Sequence, residues 1–399
     1  MELDDKPAFR PLDGIRVVEM SHMIFGPSCG MFLAFSGAEV IKVEPPHGDR
    51  TRSLTGMGES FFPTFNRGKK SVVLDLSVPD GTRALEELLT TADVFVENFR
   101  QSPFTTHGLD VESLQRRNPG LITVSCKGFL RGPYEDRPAL DEVVQMMTGL
   151  AYMTGPKGQP LRVGSSANDI MGGLFAAYAV MGALKEREET GRGREVRVGL
   201  FENSLLLVAQ HMVQYELSGV EPPPMPDREF SWPVYDIFDT ADGREIFVGA
   251  VTGGQWEALC RLLGLDDLLS DPELQDKVAQ IGARGRTIPR FRDSVAGWRF
   301  DPLAAELLAR GLPFAPVARP AEMYSDPQAC SGRMPVSRLP SGKELRAPGM
   351  PLEVDGDRTE AGTNIPAKGA DTARILESLG FDPGAVRRAT GHDAGVRGG

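Results

Sequence analysis

Histidine is scarce in this chain of 399 residues: there are five, at positions 22, 47, 107, 211 and 392, and none are spaced as HExxH. A His-rich metal site is therefore not expected. Cysteine is scarcer still. Cys29, Cys126, Cys260 and Cys330 lie far apart with no CxxC pair, which argues against a disulfide framework or a zinc site and leaves four reduced, largely packed thiols. Positive charge is in deficit, with 44 Lys and Arg against 55 Asp and Glu for a formal net charge of −11. Nucleic-acid binders usually carry a basic surface, so nucleic acid is not expected as a partner, and any anionic ligand must be held by locally gathered cations. The longest helical apolar stretch, 170–184, is interrupted by Gly172, Gly173 and Gly182 and falls short of the roughly 20 residues that span a bilayer. Met1-Glu2-Leu3-Asp4-Asp5 is acidic where a secretory signal is basic. A soluble, cytoplasmic protein without a membrane partner is expected.

The common cofactor signatures are missing too. Ser21-His22-Met23-Ile24-Phe25-Gly26-Pro27-Ser28 follows the first strand and is not GxGxxG, so a dinucleotide has no glycine cradle there. Gly68-Lys69-Lys70-Ser71 mimics the end of a P-loop without its earlier glycine, and no GxSxG elbow surrounds Ser165 and Ser166.

What is present is the patterning of a folded globular chain. A hydrophobic share of 41% and a charged share of 25% are ordinary for globular chains, and the length implies two domains. The first 130 residues alternate β-branched runs at 15–20, 39–44, 71–76, 93–96 and 121–125 with helical patterns such as 81–91 and 111–117. That grammar implies a mainly parallel sheet flanked by helices, with ligands at the carboxyl ends of its strands. A helix with a 3.6-residue apolar stripe starts at Ile170, a strand covers 195–200 and a helix 203–217. The proline-rich stretch from Gly219 to Pro233 is an extended connection. Beyond it, 234–240 and 245–251 form a hairpin across an Asp-Gly turn, helical patterns fill 256–310, 314–317 leads out, and a hairpin near Gly342 and a helix over 373–379 precede a Gly-rich tail.

Several candidate residues have two readings. Lys42, Arg50, Arg52, Arg67, Lys69, Lys70, Arg100 and Lys127 fall near predicted strand ends; each is an ordinary solvated charge, and together they can neutralise a phosphorylated, nucleotide-like ligand. Asp169 reads as the N-cap of its helix. The same position, with the dipole and free backbone N–H groups, keeps a carboxylate ionised and available as a nucleophile. Asp141 and Glu142 read as caps of a following helix. Asn98-Phe99 ends a strand, where an amide and a ring can meet a ligand. Trp256 and Tyr152 read as core.

Taken together, Leu12-Asp13-Gly14-Ile15-Arg16-Val17-Val18, Gly37-Ala38-Glu39-Val40-Ile41-Lys42-Val43-Glu44, Gly48-Asp49, Asn66-Arg67-Gly68-Lys69-Lys70-Ser71, Glu97-Asn98-Phe99, Asn118-Pro119-Gly120-Leu121-Ile122 and Thr190-Gly191-Arg192-Gly193 resemble the class III CoA-transferases. Each piece alone is weak; their order over nearly the whole chain is specific. The resemblance implies an α/β fold with a Rossmann-like large domain (1–200 and 330–399), a small α+β domain (226–320), linkers at 201–225 and 321–329, and an interlocked homodimer. It implies an acyl-CoA:carboxylate CoA-transferase whose substrates are acyl-CoA and a carboxylic acid, with no permanently bound cofactor and no metal.

The resemblance further implies that Asp169 is the nucleophile, forming an acyl-aspartyl anhydride and then an aspartyl-CoA thioester, with backbone N–H groups near the helix start holding the oxyanions. His22, Lys69, Lys70, Leu74, Asn98, Phe99, Arg100, Lys127 and Asp141 correspond to positions around CoA. The chain departs from the family pattern where a cation after the Lys-Val-Glu strand is replaced by Pro45 and an Arg before Gly108 by Thr106; Arg50 or Arg100 can compensate. Formate and oxalate are poor substrate candidates because Ile24 replaces a first-loop glutamine. A small dicarboxylate pair such as succinate and a related diacid is preferred, with Lys127, Arg137 and Arg162 flanking the pocket. An acyl-CoA racemase is the alternative on this fold, but Leu140 stands where that branch carries a His, and no histidine occurs between 107 and 211. A non-catalytic CoA-binding protein is the third reading.

Overall fold

Six short runs pair in parallel into one sheet: β1 (Arg16–Met20), β2 (Glu39–Glu44), β3 (Lys70–Val73), β4 (Val94–Glu97), β5 (Ile122–Lys127) and β6 (Glu195–Gly199), in the order β3-β2-β1-β4-β5-β6. The structure is a computed structural model that describes residues 9–99, 110–227, 232–331, 334–358 and 364–391. Successive side chains along a strand point to opposite faces. Val17, Val94 and Val96 enter one apolar cluster, and Val18 and Phe95 enter the other. Both faces are therefore covered, which is why the strands read as near-continuous apolar runs.

The helices Phe25–Phe35 and Ala167–Thr190 pack on the first face. They approach closely because the second helix presents glycines at the crossing. A Cβ at Gly172 would lie 2.6 Å from the Phe25 ring, and one at Gly173 would lie 2.1 Å from Ser28 Oγ and 2.8 Å from the Cys29 backbone nitrogen. At 24 residues the helix Ala167–Thr190 is longer than the sequence suggested, and by length and composition alone it reaches what a membrane span needs; 44% of its most apolar window is buried inside the protein.

Helices Pro79–Thr90, Val111–Arg117, Thr372–Ser378 and Pro383–Ala389 cover the second face. The last two come from the end of the chain, and with them the returning segment closes the edge of the sheet. The Ser71 N–H donates to the Asp371 carboxylate (3.0 Å), the Val73 N–H to the Thr372 hydroxyl (3.0 Å) and the Asp371 N–H to the Ser71 carbonyl (3.0 Å). These bonds cover a strand edge that, left open, would invite pairing with other chains.

The chain divides into two compact units, Met1–Pro222 with Gly332–Gly399, and Pro223–Ser331. The stretch 201–225 is not a plain connection: most of it is the helix Leu200–Ser218, which ends at the left-handed Gly219. Likewise 321–329 is occupied by the turn Pro320–Tyr324 and the start of the helix Pro327–Ser331. In the second unit β7 (Val234–Asp239) and β8 (Glu245–Ala250) form an antiparallel hairpin, and β9 (Phe314–Pro316), read from sequence as an exit, pairs back onto β8. Trp256 is in that unit's core, whereas Tyr152, expected as core, is exposed in the first unit.

The glycine crossing predicts opposite outcomes at two positions of one helix. Gly173→Val forces backbone apart and is expected to cost about 1–3 kcal/mol. Gly182, with nothing within 4 Å of its Cβ position, is expected to gain up to about 1 kcal/mol as Ala. Urea midpoints of the two variants check both signs.

Candidate active site

The strand order reverses between β1 and β4, and ligands of parallel sheets collect beside such a point. A cavity of about 750 Å³ lies there, lined by Met20, Ser21 and His22 after β1, by 43–50 at the end of β2, by Leu74, Asp75 and Leu76 after β3, and by Phe99 after β4. That volume suits a large organic ligand.

Buried charge holds its walls. The Lys42 ammonium sits 3.2 Å from the Glu19 carboxylate and 2.9 Å from Asp49, and donates to the Ser21 carbonyl at 2.7 Å. Lys69 reaches the other Glu19 oxygen at 2.7 Å and donates to the Pro27 carbonyl and Asn66 Oδ1. Burial opposes the Lys42 charge, but Glu19 and Asp49 outweigh it and its pKa rises; burial prevails at Lys69 and brings it down to about 8. Glu44 is held by Arg52 at 2.7 Å and by the Ser71 hydroxyl at 2.6 Å.

The loop after β1 is fixed by Asn98. Its Oδ1 accepts from the His22 N–H at 3.0 Å and its Nδ2 donates to the His22 carbonyl at 2.7 Å. The imidazole then stacks on Phe99, with ring centres 5.6 Å apart and planes at 23°. Burial lowers the His22 pKa, with smaller contributions from Lys42 and Arg50 partly offset by Asp49 and Asn98.

Asp169 stands in the first turn of its helix, half-buried. Its backbone is gripped from three sides. The N–H groups of Asn168 and Asp169 donate to Asp141 Oδ2 at 3.0 and 3.1 Å, the Asn168 carbonyl accepts from Asn203 Nδ2 at 2.8 Å, and the Asp169 carbonyl accepts from the Ser28 hydroxyl at 3.1 Å. Gln145 donates to the other oxygen of Asp141 and accepts from the Val163 N–H at 2.9 Å. Burial, and then the negative charge of Asp141, push the Asp169 carboxyl up to about 7; Arg162 pulls the other way.

Several expectations change here. Asp169 is not a cap: the helix begins at Ala167 with Ser166 before it. Asp141 does not cap its own helix, Asp141–Met147, but the helix of Asp169. The backbone N–H groups of Asn168 and Asp169 are consequently taken, so they neither keep Asp169 ionised nor remain to hold an oxyanion. Lys69 is fully enclosed against Glu19 and cannot meet a ligand in the cavity. Lys70 pairs with Glu39 at the amino ends of the strands, the edge opposite the cavity. Lys127 is bound to Glu97 at 2.8 Å and to the Phe99 carbonyl. His22, Leu74 and Phe99 do line the cavity, Asn98 props its wall, and Arg100 lies outside the described residues. Sequence reasoning missed Gln145, Ser28 and Asn203. Gln145 was findable, four residues after Asp141 on a helix; the other two reach Asp169 only through tertiary packing. Among the described residues, no three His, Cys, Asp or Glu side chains gather to hold a metal.

Comparison with known proteins adds a direct line. The model of CoA-transferase family III matches residues 12–372. The chain is 32% identical over 331 residues to a succinate–glutarate CoA-transferase of Agrobacterium fabrum, covering 80% of this chain and 82% of that one. It is 34% identical over 337 residues to a succinyl-CoA–D-citramalate CoA-transferase of Chloroflexus aurantiacus, covering 80% and 81%. A crystal structure of a CAIB/BAIF family protein from Brucella suis superposes with a TM-score of 0.81 at 31% identity, covering 92% of this chain and 99% of that one.

The pairing of two carboxylates has a measurable sign. A folded-state pKa near 7 for Asp169 means that the folded protein keeps a proton the unfolded chain releases, so the associated stability is complete in acid and lost as pH rises through about 7. Asp169→Asn is therefore expected to melt above the wild type at pH 8, the gap closing as pH falls toward 4. Asp141→Asn keeps an acceptor for the two N–H groups and removes the charge, and should lower the Asp169 pKa in a carbon-13 NMR titration.

Proposed function

The chain belongs to CoA-transferase family III, and on that premise we propose that it moves CoA between carboxylic acids by a covalent relay through Asp169. The single observation that carries the assignment of the nucleophile is the pinned backbone of a half-buried carboxylate. Fixing a nucleophile before substrate arrives removes ordering cost from the reacting step. In the relay, an Asp169 oxygen attacks the donor thioester carbonyl, and the carbon–sulfur bond breaks to give an acyl-aspartyl anhydride and CoA thiolate. The thiolate attacks the aspartyl carbonyl, releasing the donor carboxylate and leaving an aspartyl-CoA thioester. The acceptor carboxylate attacks that thioester, and the thiolate it frees takes the acceptor acyl group, restoring Asp169. The activated bond survives only where water is kept away, and the burial that raises the Asp169 pKa supports such a setting.

Dicarboxylates are the proposed substrate class. Arg162 exerts an attractive charge on Asp169 and is only loosely paired with Glu142 at 3.6 Å, which supports it as the partner of a second carboxylate. The relatives named for succinate, glutarate and citramalate point the same way. The homodimer, interlocked, is part of the reading. Leu174, Phe175, Tyr178, Leu206, Met212 and Val213 are exposed on two long helices, and apolar surface of this extent supports a protein partner.

With succinyl-CoA and hydroxylamine, mass spectrometry should find Asp169 as a hydroxamate, and Asp169→Ala should lose about 10³-fold or more of transfer. Full transfer by Asp169→Ala, with Asp169 unmodified in the wild type, overturns the relay. Light scattering should give a two-chain mass; a monomer rejects the dimer.

A further inference from the structure

We propose that Arg50 and Lys368 form the seat for the phosphate groups of CoA at the mouth of the cavity. The inference rests on the CoA-transferase reading and adds the charges that hold the cofactor-like half of the substrate.

The argument is an accounting of charge. CoA brings several negative charges to a protein that is itself acidic, so unengaged cations must face the ligand. Most cations near the strand ends are already neutralised: Lys42 by Glu19 and Asp49, Lys69 by Glu19, Arg52 by Glu44, Lys70 by Glu39 and Lys127 by Glu97. Arg67 is spent on the carbonyls of Thr64, Ala347 and Pro348. Arg50 is the Arg or Lys in the cavity lining, it is exposed, and among the described residues no carboxylate is paired with it. The acidic lining does not oppose it. Glu44 and Asp49 carry their own cations, and Asp75 turns to the N–H and hydroxyl of Ser77 at 3.0 and 2.6 Å.

Lys368 supplies the second charge from the far end of the chain. Its ammonium donates to the Pro46 carbonyl at 2.9 Å, and a Cβ on Gly48 would lie 2.9 Å from its Cδ. The stem thus lies across the loop 45–48, which Gly48 turns with a φ of 83°. The head is exposed and, among the described residues, unpaired with any carboxylate. Arg50 lines the cavity, and Lys368 lies against the loop 45–48 that forms part of its wall. A planar guanidinium and an exposed ammonium at one loop are a combination suited to phosphate oxygens.

Calorimetric titration of the full chain with CoA and with dephospho-CoA tests the seat, using the wild type, Arg50→Gln, Lys368→Gln and the double variant, each shown to be folded by thermal melting. Each single change should weaken CoA binding by about tenfold and the double by more, with a shallower salt dependence. A loss confined to CoA assigns the seat to the 3′-phosphate; an equal loss with dephospho-CoA assigns it to the pyrophosphate. CoA binding unchanged in the double variant overturns the seat and leaves the transferase reading standing. A wild type that binds neither compound overturns both.

Discussion

One buried carboxylate organises the large unit. Glu19, in the middle of the sheet, is met by two ammonium groups and by the Ser21 hydroxyl, all enclosed. Its partners come from β2, from the residue before β3 and, through Lys69 and Pro27, from the helix after β1. Losing one member of such a cluster strands a charge away from water at a cost of about 3–5 kcal/mol. The cluster therefore acts less as a source of stability than as a lock on geometry. Even the packing around it is fitted: a Cβ at Gly30 would stand 1.8 Å from a Glu19 oxygen. With Glu19 fixed, Ser21 and Asp49 are fixed, and with them two walls of the cavity.

The second centre inverts that logic. At Asp169 the neighbouring charge of Asp141 has the same sign, and Arg162 offsets it only in part. Asp141 satisfies the helix terminus, holds the Asp169 backbone still and adds to the effect of burial in disfavouring the ionised form of that carboxyl.

Much of this architecture was legible in the residues. The β-branched runs gave five of the strands directly, because strands buried on both faces must be apolar throughout. The DG turn gave the hairpin of the second unit. Asp169 was legible as a residue at a helix start, and only the resemblance raised it to a nucleophile. The cations were misjudged for a physical reason: a sequence shows that Lys42, Lys69, Lys70 and Lys127 are charged, but not that Glu19, Glu39 and Glu97 arrive from other strands to neutralise them. Arg50 and Lys368 differ from them in that, among the described residues, tertiary structure brings no carboxylate to either. Likewise, nothing local to Asp141 indicates that it caps a helix that begins 26 residues later rather than its own.

The closing of β3 by the returning segment and its helices Thr372–Ser378 and Pro383–Ala389 sets a timetable for synthesis. The partners Ser71 and Asp371 are separated by 300 residues, which at about 5–20 residues per second takes a ribosome roughly 15–60 s. Throughout that interval the sheet has an unfinished edge and Ile375, Leu376 and Ala389 have yet to cover its second face. Until then the edge of β3 has no partner from its own chain, so the delay in its covering is a property of the chain order and not of the finished packing.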